Sequence, residues 1–289
     1  MRILAPAKIN LTLDVHNRRE DGYHNLTTVI QTLRFGDWLD IELTDNSGRI
    51  DLEVVYGDGA DPVPSDASNL AVRAAKAMVD AAKSDRGVRI RLEKNIPSEA
   101  GLGGGSSNAA ATLIAINTLL GSPLSRAELA AIGSKLGSDV PFFLTGGTCL
   151  AEGIGERVTP LADIEERRVL VVKPPTGVST TTAYTLLDAR REFDAIPGKR
   201  TWDGRTLRND FENVALDLCP AIRWVKQALT EIGCEQALVC GSGSAVYGFI
   251  SEATVGQSEI DKMAADLAAR DLGRVILTST LSRAEIAAT

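Results

Sequence analysis

Residues 98–110 read SEAGLGGGSSNAA, with four glycines and two serines inside seven positions and an alanine-rich run directly after. The alternating stretch GVRIRLEKNIP leads in as a strand, and Ala109, Leu113, Ile116 and Leu120 predict a helix over 106–120 leading out. A glycine turn in that setting lets successive backbone N–H groups converge on an anion. The helix start adds unpaired N–H groups and its positive dipole end. The hydroxyls of Ser106 and Ser107 can donate to phosphate or ligate Mg²⁺. The plain alternative is a strand-to-helix turn that binds nothing. Several chemistries are excluded: G-x-x-x-x-G-K-[ST] is absent, Ser106 stands where G-x-G-x-x-G needs its last glycine, and no G-x-S-x-G occurs in either glycine cluster. What remains is a kinase-type cradle whose lysine comes from elsewhere in the chain.

Around this loop the pattern alternates strands and helices. Residues 8–15 place Ile9, Leu11, Leu13 and Val15 on one side and Lys8, Asn10, Thr12 and Asp14 on the other, predicting a half-buried strand. Asp21-Gly22 marks a turn, and TTVIQTL and WLDIEL read as two further strands. A polar Gly/Pro loop precedes the helix LAVRAAKAMVDAAK, with Ser68 or Asn69 as its cap. Ser125 and Glu128 form a capping box, and Pro141 biases Val140 away from helix, which leaves Asp139 near a break. RRVLVVKPP is a buried-type strand, PAIRWVKQALTEIG an amphipathic helix, and QALVCGSGSAVYGFI a strand, glycine turn and strand. A last helix and the strand GRVILTST follow. Mostly antiparallel strands mixed with helices predict an α+β fold and not a doubly wound sheet, with two domains at 1–160 and 161–289. Residues 185–210 are polar and irregular.

The bulk properties narrow the class. A net charge of −7 over 289 residues argues against nucleic-acid binding. No apolar run spans a membrane, and the N-terminal stretch lacks a signal-peptide core. Four cysteines without C-x-x-C spacing are expected as reduced, buried side chains, which points to the cytoplasm.

GLGGGSSNAA after IP resembles the phosphate loop of the galactokinase, homoserine kinase, mevalonate kinase and phosphomevalonate kinase superfamily. APAKINLTLDV, DGYHNL, GSDVPFF and GSGSAVYGF, in that order from residue 5 to 249, narrow the resemblance to its 4-diphosphocytidyl-2-C-methyl-D-erythritol kinase family. The resemblance implies a two-domain fold, an N-terminal half like domain 2 of ribosomal protein S5 and a ferredoxin-like C-terminal half, with the site in the cleft. It further implies ATP and Mg²⁺, and a cytidine diphosphate conjugate as the small-molecule partner. By motif, Lys8 and Asp139 are the catalytic pair, with Asn10 beside Lys8 on the substrate side. Pro97, Ser98, Glu99, Ala100, Gly101, Leu102, Gly103, Gly104, Gly105, Ser106 and Ser107 form the ATP phosphate loop. Asn69, Lys94 and Asn95 fall at the adenosine. Tyr23 and His24 match the residues that recognise the cytosine, Tyr184 resembles a second aromatic that sandwiches it, and Gly241 and Ser242 line the cleft. Ser106 or Ser107 is the implied metal ligand.

Without that context, a lone Lys8 reads as a solvated charge and Asp139 as a turn residue. Rival readings are a kinase of the same superfamily for mevalonate or homoserine, and a non-catalytic nucleotide-binding protein. Two positions depart from the family's usual pattern: Glu99, where a small residue or glycine is usual, and Asn108, where an aspartate is usual. A carboxylate at Glu99 is unfavourable beside triphosphate unless it points out of the loop, whereas an amide at Asn108 can still cap the helix.

Overall fold

The computed structural model describes residues 1–46, 48–190, 202–251 and 256–286. In chain order it begins with β1 (Arg2–Arg18), β2 (His24–Thr44), β3 (Ile50–Tyr56), α1 (Leu70–Ala81), β4 (Gly87–Lys94) and α2 (Gly104–Leu119). There follow α3 (Arg126–Leu136), α4 (Val140–Thr145), β5 (Thr148–Gly153) and β6 (Arg157–Pro160). The second half comprises β7 (Arg168–Lys173), α5 (Thr180–Arg190), β8 (Arg208–Asn209), α6 (Glu212–Leu218), α7 (Ala221–Glu231) and β9 (Cys234–Val239). It ends with β10 (Val246–Ile250), α8 (Gln257–Ala268), β11 (Arg274–Ser279) and α9 (Arg283–Ile286). Part of the irregular stretch 185–210 is helical in α5, while residues 191–201 lie outside the described residues. No helix among the described residues is long and apolar enough to cross a membrane.

One sheet runs β3-β4-β2-β1-β8, with β5 pairing β2 and β6 pairing β5. Its pairings are antiparallel except β3 with β4 and β1 with β8. The other sheet is antiparallel, in the order β11-β7-β10-β9. Its strands occupy the spatial order fourth, first, third, second, with a helix in each crossover, and this is the ferredoxin-like arrangement. The chain is therefore α+β as expected.

β1 departs from the half-buried strand predicted. Ile9, Leu11 and Leu13 are buried, and so are Lys8, Asn10, Thr12 and Asp14 on the polar side. The reason is tertiary. β1 pairs on one edge with β2 and on the other with β8, which the second half contributes. Its apolar residues enter three cores: Ile3 and Ala5 under the helices of the first half, Ile9 and Leu11 against Val171 and Tyr247, Leu13 and Val15 against Phe211 and Val246. The two predicted strands TTVIQTL and WLDIEL are one 21-residue strand, β2. Glycine at position 36 within it is sterically required, since a Cβ there would stand 2.4 Å from the Ala5 carbonyl oxygen.

Local signals place the helix starts. Asn69, not Ser68, caps α1, its side chain accepting from the Ala71 N–H. α2 starts two residues earlier than predicted, because Gly103 at φ 75° supplies the left-handed residue before it. Val140 is helical after all, since Pro141 sits in the first turn of α4, where no N–H is needed. Asp139 immediately precedes that helix and makes no capping bond, which leaves its carboxylate to the cleft.

Candidate active site

Lys8 projects from the middle of β1, only 5 % exposed. Its ammonium donates to Asn10 Oδ1 at 2.7 Å and faces Asp139 Oδ2 at 3.9 Å. Asn10 is oriented from behind: its amide donates to Thr28 Oγ1 at 2.8 Å, Thr28 donates to the Thr12 carbonyl, and Tyr247 OH donates to the Asn10 carbonyl at 2.9 Å. Complete burial holds the Tyr247 hydroxyl far above its ordinary range, so it remains a donor. Thr28 has no sequence signal beyond lying on a strand, and Tyr247 falls within the motif GSGSAVYGF without being singled out by it.

The glycine loop is bolted to this group. The Lys8 N–H donates to the Leu102 carbonyl at 3.0 Å, and a Cβ on Gly103 would stand 3.1 Å from Lys8 Cγ and 2.7 Å from the Phe143 ring. On its other side the loop meets the 241–244 turn, backbone to backbone. A Cβ on Gly101 would stand 1.8 Å from the Cys240 carbonyl oxygen, and Ala245 N–H donates to the Ala100 carbonyl at 3.2 Å. Asn209 of β8 holds that turn, donating to the Val239 and Gly241 carbonyls at 2.9 and 2.7 Å. Lys8, Asn10, Gly101 and Gly241 thus converge, drawn from sequence positions more than two hundred apart.

Two cavities flank the convergence. One, of about 570 Å³, is lined by Lys8, Asn10, Asp139, Gly241 and Ser242 and reaches Tyr23, His24 and Tyr184. The other, of about 290 Å³, lies along Pro97–Gly105 and reaches Asn69 and Lys94. They share Gly101 and Gly103. Residue pairs that reach across the larger cavity include Thr180 and Ser242, whose hydroxyls are 3.0 Å apart.

Several predicted residues serve the frame in the structure. The Lys94 ammonium donates to Asp37 Oδ2 at 2.9 Å and to the Ile96 carbonyl, and burial pushes its pKa down. Asp37, fully buried, also accepts from the Asn95 and Ile96 N–H groups and from the Asn108 amide. Asn108 therefore does not cap α2, which already has Gly103 as its N-cap. It is a donor to Asp37, where an aspartate would set two carboxylates together. Both ends of the Asn69 amide are engaged, with Ala71 N–H and the Pro64 carbonyl. Asn95 donates to the Gly36 carbonyl at 3.3 Å.

Glu99 stands at φ 51°, in the left-handed region where glycine is at ease. Its side chain is exposed and turned toward Gly177, where an added Cβ would lie 2.3 Å from Oε2. The carboxylate points out of the loop. The two serines part company: Ser106 lies beside Gly137, its Oγ 3.4 Å from a Cβ placed there, whereas Ser107 is buried on the far side of α2.

At the far end of the larger cavity, His24 Nε2 is 2.7 Å from Asp188 Oδ1, and its ring stacks on Tyr184 at 5.0 Å with 23° between planes. Tyr184 meets Phe211 edge-on. Burial first, then Asp139 and Asp188, push the Tyr184 hydroxyl up to about 12. His24 and Tyr184 are in direct ring contact, with no slot between them. Tyr23, 60 % exposed, adjoins it. Asp188 and Phe211 carry no motif signal, Asp188 falling in the polar stretch 185–210 and Phe211 immediately before α6.

This architecture has known counterparts. The model of the GHMP kinases N terminal domain matches residues 69–147, and that of the GHMP kinases C terminal domain matches 183–274. A protein of Heliobacterium modesticaldum named 4-diphosphocytidyl-2-C-methyl-D-erythritol kinase is 38% identical over 99% of this chain and 97% of its own. The chain belongs to the 4-diphosphocytidyl-2-C-methyl-D-erythritol kinase family. A family member from Geobacter metallireducens is 42% identical over 87% of this chain and 90% of its own. A crystal structure of 4-(cytidine 5'-diphospho)-2C-methyl-D-erythritol kinase aligns at a TM-score of 0.78 and 35% identity, covering 97% of this chain and 99% of that one. The homoserine kinase of Cytophaga hutchinsonii shares the fold at a TM-score of 0.70 and 18% identity, covering 98% of this chain and 94% of that one. Membership of this family makes the chain a small-molecule kinase with ATP as co-substrate.

Proposed function

We propose that the chain transfers the γ-phosphoryl group of ATP to a hydroxyl on the methylerythritol part of 4-diphosphocytidyl-2-C-methyl-D-erythritol, giving the 2-phosphate and ADP. This is a step of non-mevalonate isoprenoid precursor biosynthesis. The observation that carries the reading is the meeting of two cavities at Gly101 and Gly103, with Lys8 and Asp139 at the junction. Phosphoryl transfer needs donor and acceptor in line with charge stabilised between them, and little covalent chemistry from the protein.

In this reading residues 1–160 form the ATP-binding domain and 161–289 the substrate-side domain, with β1 and Tyr23-His24 of the first half also reaching the substrate cavity. The loop from Pro97 to Ser106 cradles the phosphates, with Asn69, Lys94 and Asn95 framing the adenosine end. Asp139 accepts or orients the proton of the attacking hydroxyl. Lys8, held by Asn10, stabilises the ionised carboxylate and the developing alkoxide. Tyr23, His24 and Tyr184 receive the cytosine, and Gly241 and Ser242 close the floor.

The donor set fits Mg²⁺. Ser106 and Asp139 offer hard oxygen donors on adjoining segments. Among the described residues no group of three or more His, Cys, Asp or Glu side chains could hold a metal by itself, as suits an ion that arrives with phosphates. Bound with ATP, Mg²⁺ supplies charge neutralisation at the β- and γ-phosphates. Four unpaired, buried cysteines accord with a reducing cytoplasm.

A coupled ADP assay with ATP and Mg²⁺, run in parallel on the cytidine conjugate, mevalonate and homoserine, tests the reading. Turnover is expected with the conjugate; turnover confined to either other alcohol refutes it.

A further inference from the structure

Ser107 lines a cavity of about 290 Å³ behind α2, walled by β1 at Leu4, by Ile114 of α2, by Phe143 and Leu144 of α4 and by Ile286 of α9. It shares no residue with the phosphate-loop cavity. The Ser107 hydroxyl is fully buried and has no hydrogen-bond partner among the described residues. Buried polar atoms are nearly always paired, so an orphan beside a cavity marks the place of a missing partner. A second cavity of about 190 Å³ continues the space, sharing Ile114, Thr118, Arg126 and Leu144.

The polar groups around this space have one character. Arg126, exposed in the first turn of α3, makes no hydrogen bond or ion pair with any described residue. Arg283 donates through Nη2 to the Thr148 carbonyl at 2.9 Å and faces Asp163 at 3.8 Å, while its buried Nε is unpartnered. No Asp or Glu lines either cavity. The hydroxyls of Thr118 and Thr145 donate to carbonyls of their own helices. The vacant groups are thus a guanidinium, a guanidinium N–H and a hydroxyl able to donate, with no anionic group among them, over walls that are otherwise apolar. A cation finds no counter-charge there, and a pure hydrocarbon leaves the donors unpaired.

We propose that this two-lobed space is a second ligand site, for a small amphiphilic anion. Its apolar chain packs between α2 and α4, its carboxylate or phosphate group pairs with Arg126, and its oxygens serve the stranded donors. The size suits a compact molecule, near the lower end of the roughly 300–1,000 Å³ usual for ligand pockets. The site is separate from the proposed catalytic residues, so binding is read without turnover.

Isothermal titration calorimetry of the full chain tests this, with octanoate and octyl phosphate as probes and octan-1-ol and octylammonium as neutral and cationic counterparts. A saturating non-hydrolysable ATP analogue blocks the phosphate loop throughout. Both anions are expected to bind one to one, with octan-1-ol about tenfold weaker and octylammonium not at all, a difference typical of one charge-assisted contact. The ratio of the two anions' affinities distinguishes a carboxylate from a phosphate ligand. Arg126→Gln, at an exposed unpaired position, is expected to lower the anion affinity roughly tenfold without affecting octan-1-ol. Ile114→Trp, which fills the junction of the lobes, is expected to abolish binding, and both variants should keep the wild-type KM for ATP. Binding of octyl phosphate only when the analogue is left out, equal binding of octylammonium, no binding of either anion, or unchanged affinity in both variants would overturn the proposal.

Discussion

At 3.9 Å, Lys8 and Asp139 attract one another without the short hydrogen bond that would occupy the carboxylate. Asp139 keeps lone pairs free, in the proposed reading for an incoming hydroxyl, and Lys8 spends one N–H on Asn10. Asp139→Asn removes the proton acceptor at nearly constant shape, so kcat should fall about 10²–10⁴-fold with the KM for ATP little changed, measured by steady-state ADP release. In the proposed reading His24 faces the base. Asp188 fixes its ring, so Asp188→Asn should raise the KM for the cytidine conjugate severalfold while the KM for ATP stays put; equal effects on both would contradict a base-recognition role. Tyr184 allows a pH test. Its folded pKa of about 12 lies above the ordinary value of 10, so the fold favours the protonated phenol. That contribution is complete below about pH 10 and is lost as pH rises through 12. Urea titrations across this window should show a steeper loss of stability in the wild type than in Tyr184→Phe.

At the scale of elements, strand, loop and helix succeed one another as the sequence implies, but the loop's conformation depends on its neighbours. Gly101, at φ 78°, has no room for a side chain because the Cys240 carbonyl lies where a Cβ would go. Gly101→Ala therefore forces apart the phosphate loop and the 241–244 turn. It should weaken binding of an ATP analogue at least tenfold and lower Tm by several degrees, read by calorimetry and thermal unfolding. The capping box at Ser125 and Glu128 and the cap at Asn69 were legible because they are local hydrogen bonds between residues two or three apart. β3 and β5 were not, because each gains its stability from partners remote in sequence, and four-residue β6 only follows β5.

At the scale of the molecule, β1 is a seam. β8 pairs with it in parallel, and Arg208 forms two hydrogen bonds with Asp14 at 2.8 and 2.7 Å. Arg208→Ala leaves a carboxylate with 8 % side-chain exposure short of its main partner. The expected cost is about 3 kcal/mol, the low end for a broken buried pair because Arg208 itself reaches solvent. Chemical denaturation provides the measurement, and a loss under 1 kcal/mol would show the pair to be incidental.

The sequence by itself determined the fold class and the glycine loop with its following helix, and it singled out Lys8, Asp139, Tyr23 and His24, which the fold sets around one cavity. These rest on periodicity, on turn chemistry and on short ordered motifs, all of which are local. It misread the polar side of β1 as facing solvent, for alternation shows that two faces differ and not what covers them. Only the tertiary structure decided that Lys8 and Asn10 are buried against Gly241, that Asp37 gathers Lys94, Asn95 and Asn108, and that Glu99 turns outward while Ser107 turns to another cavity. Each of those outcomes depends on which backbone arrives from far along the chain to fill the neighbouring space, and no spacing of residues encodes that arrival.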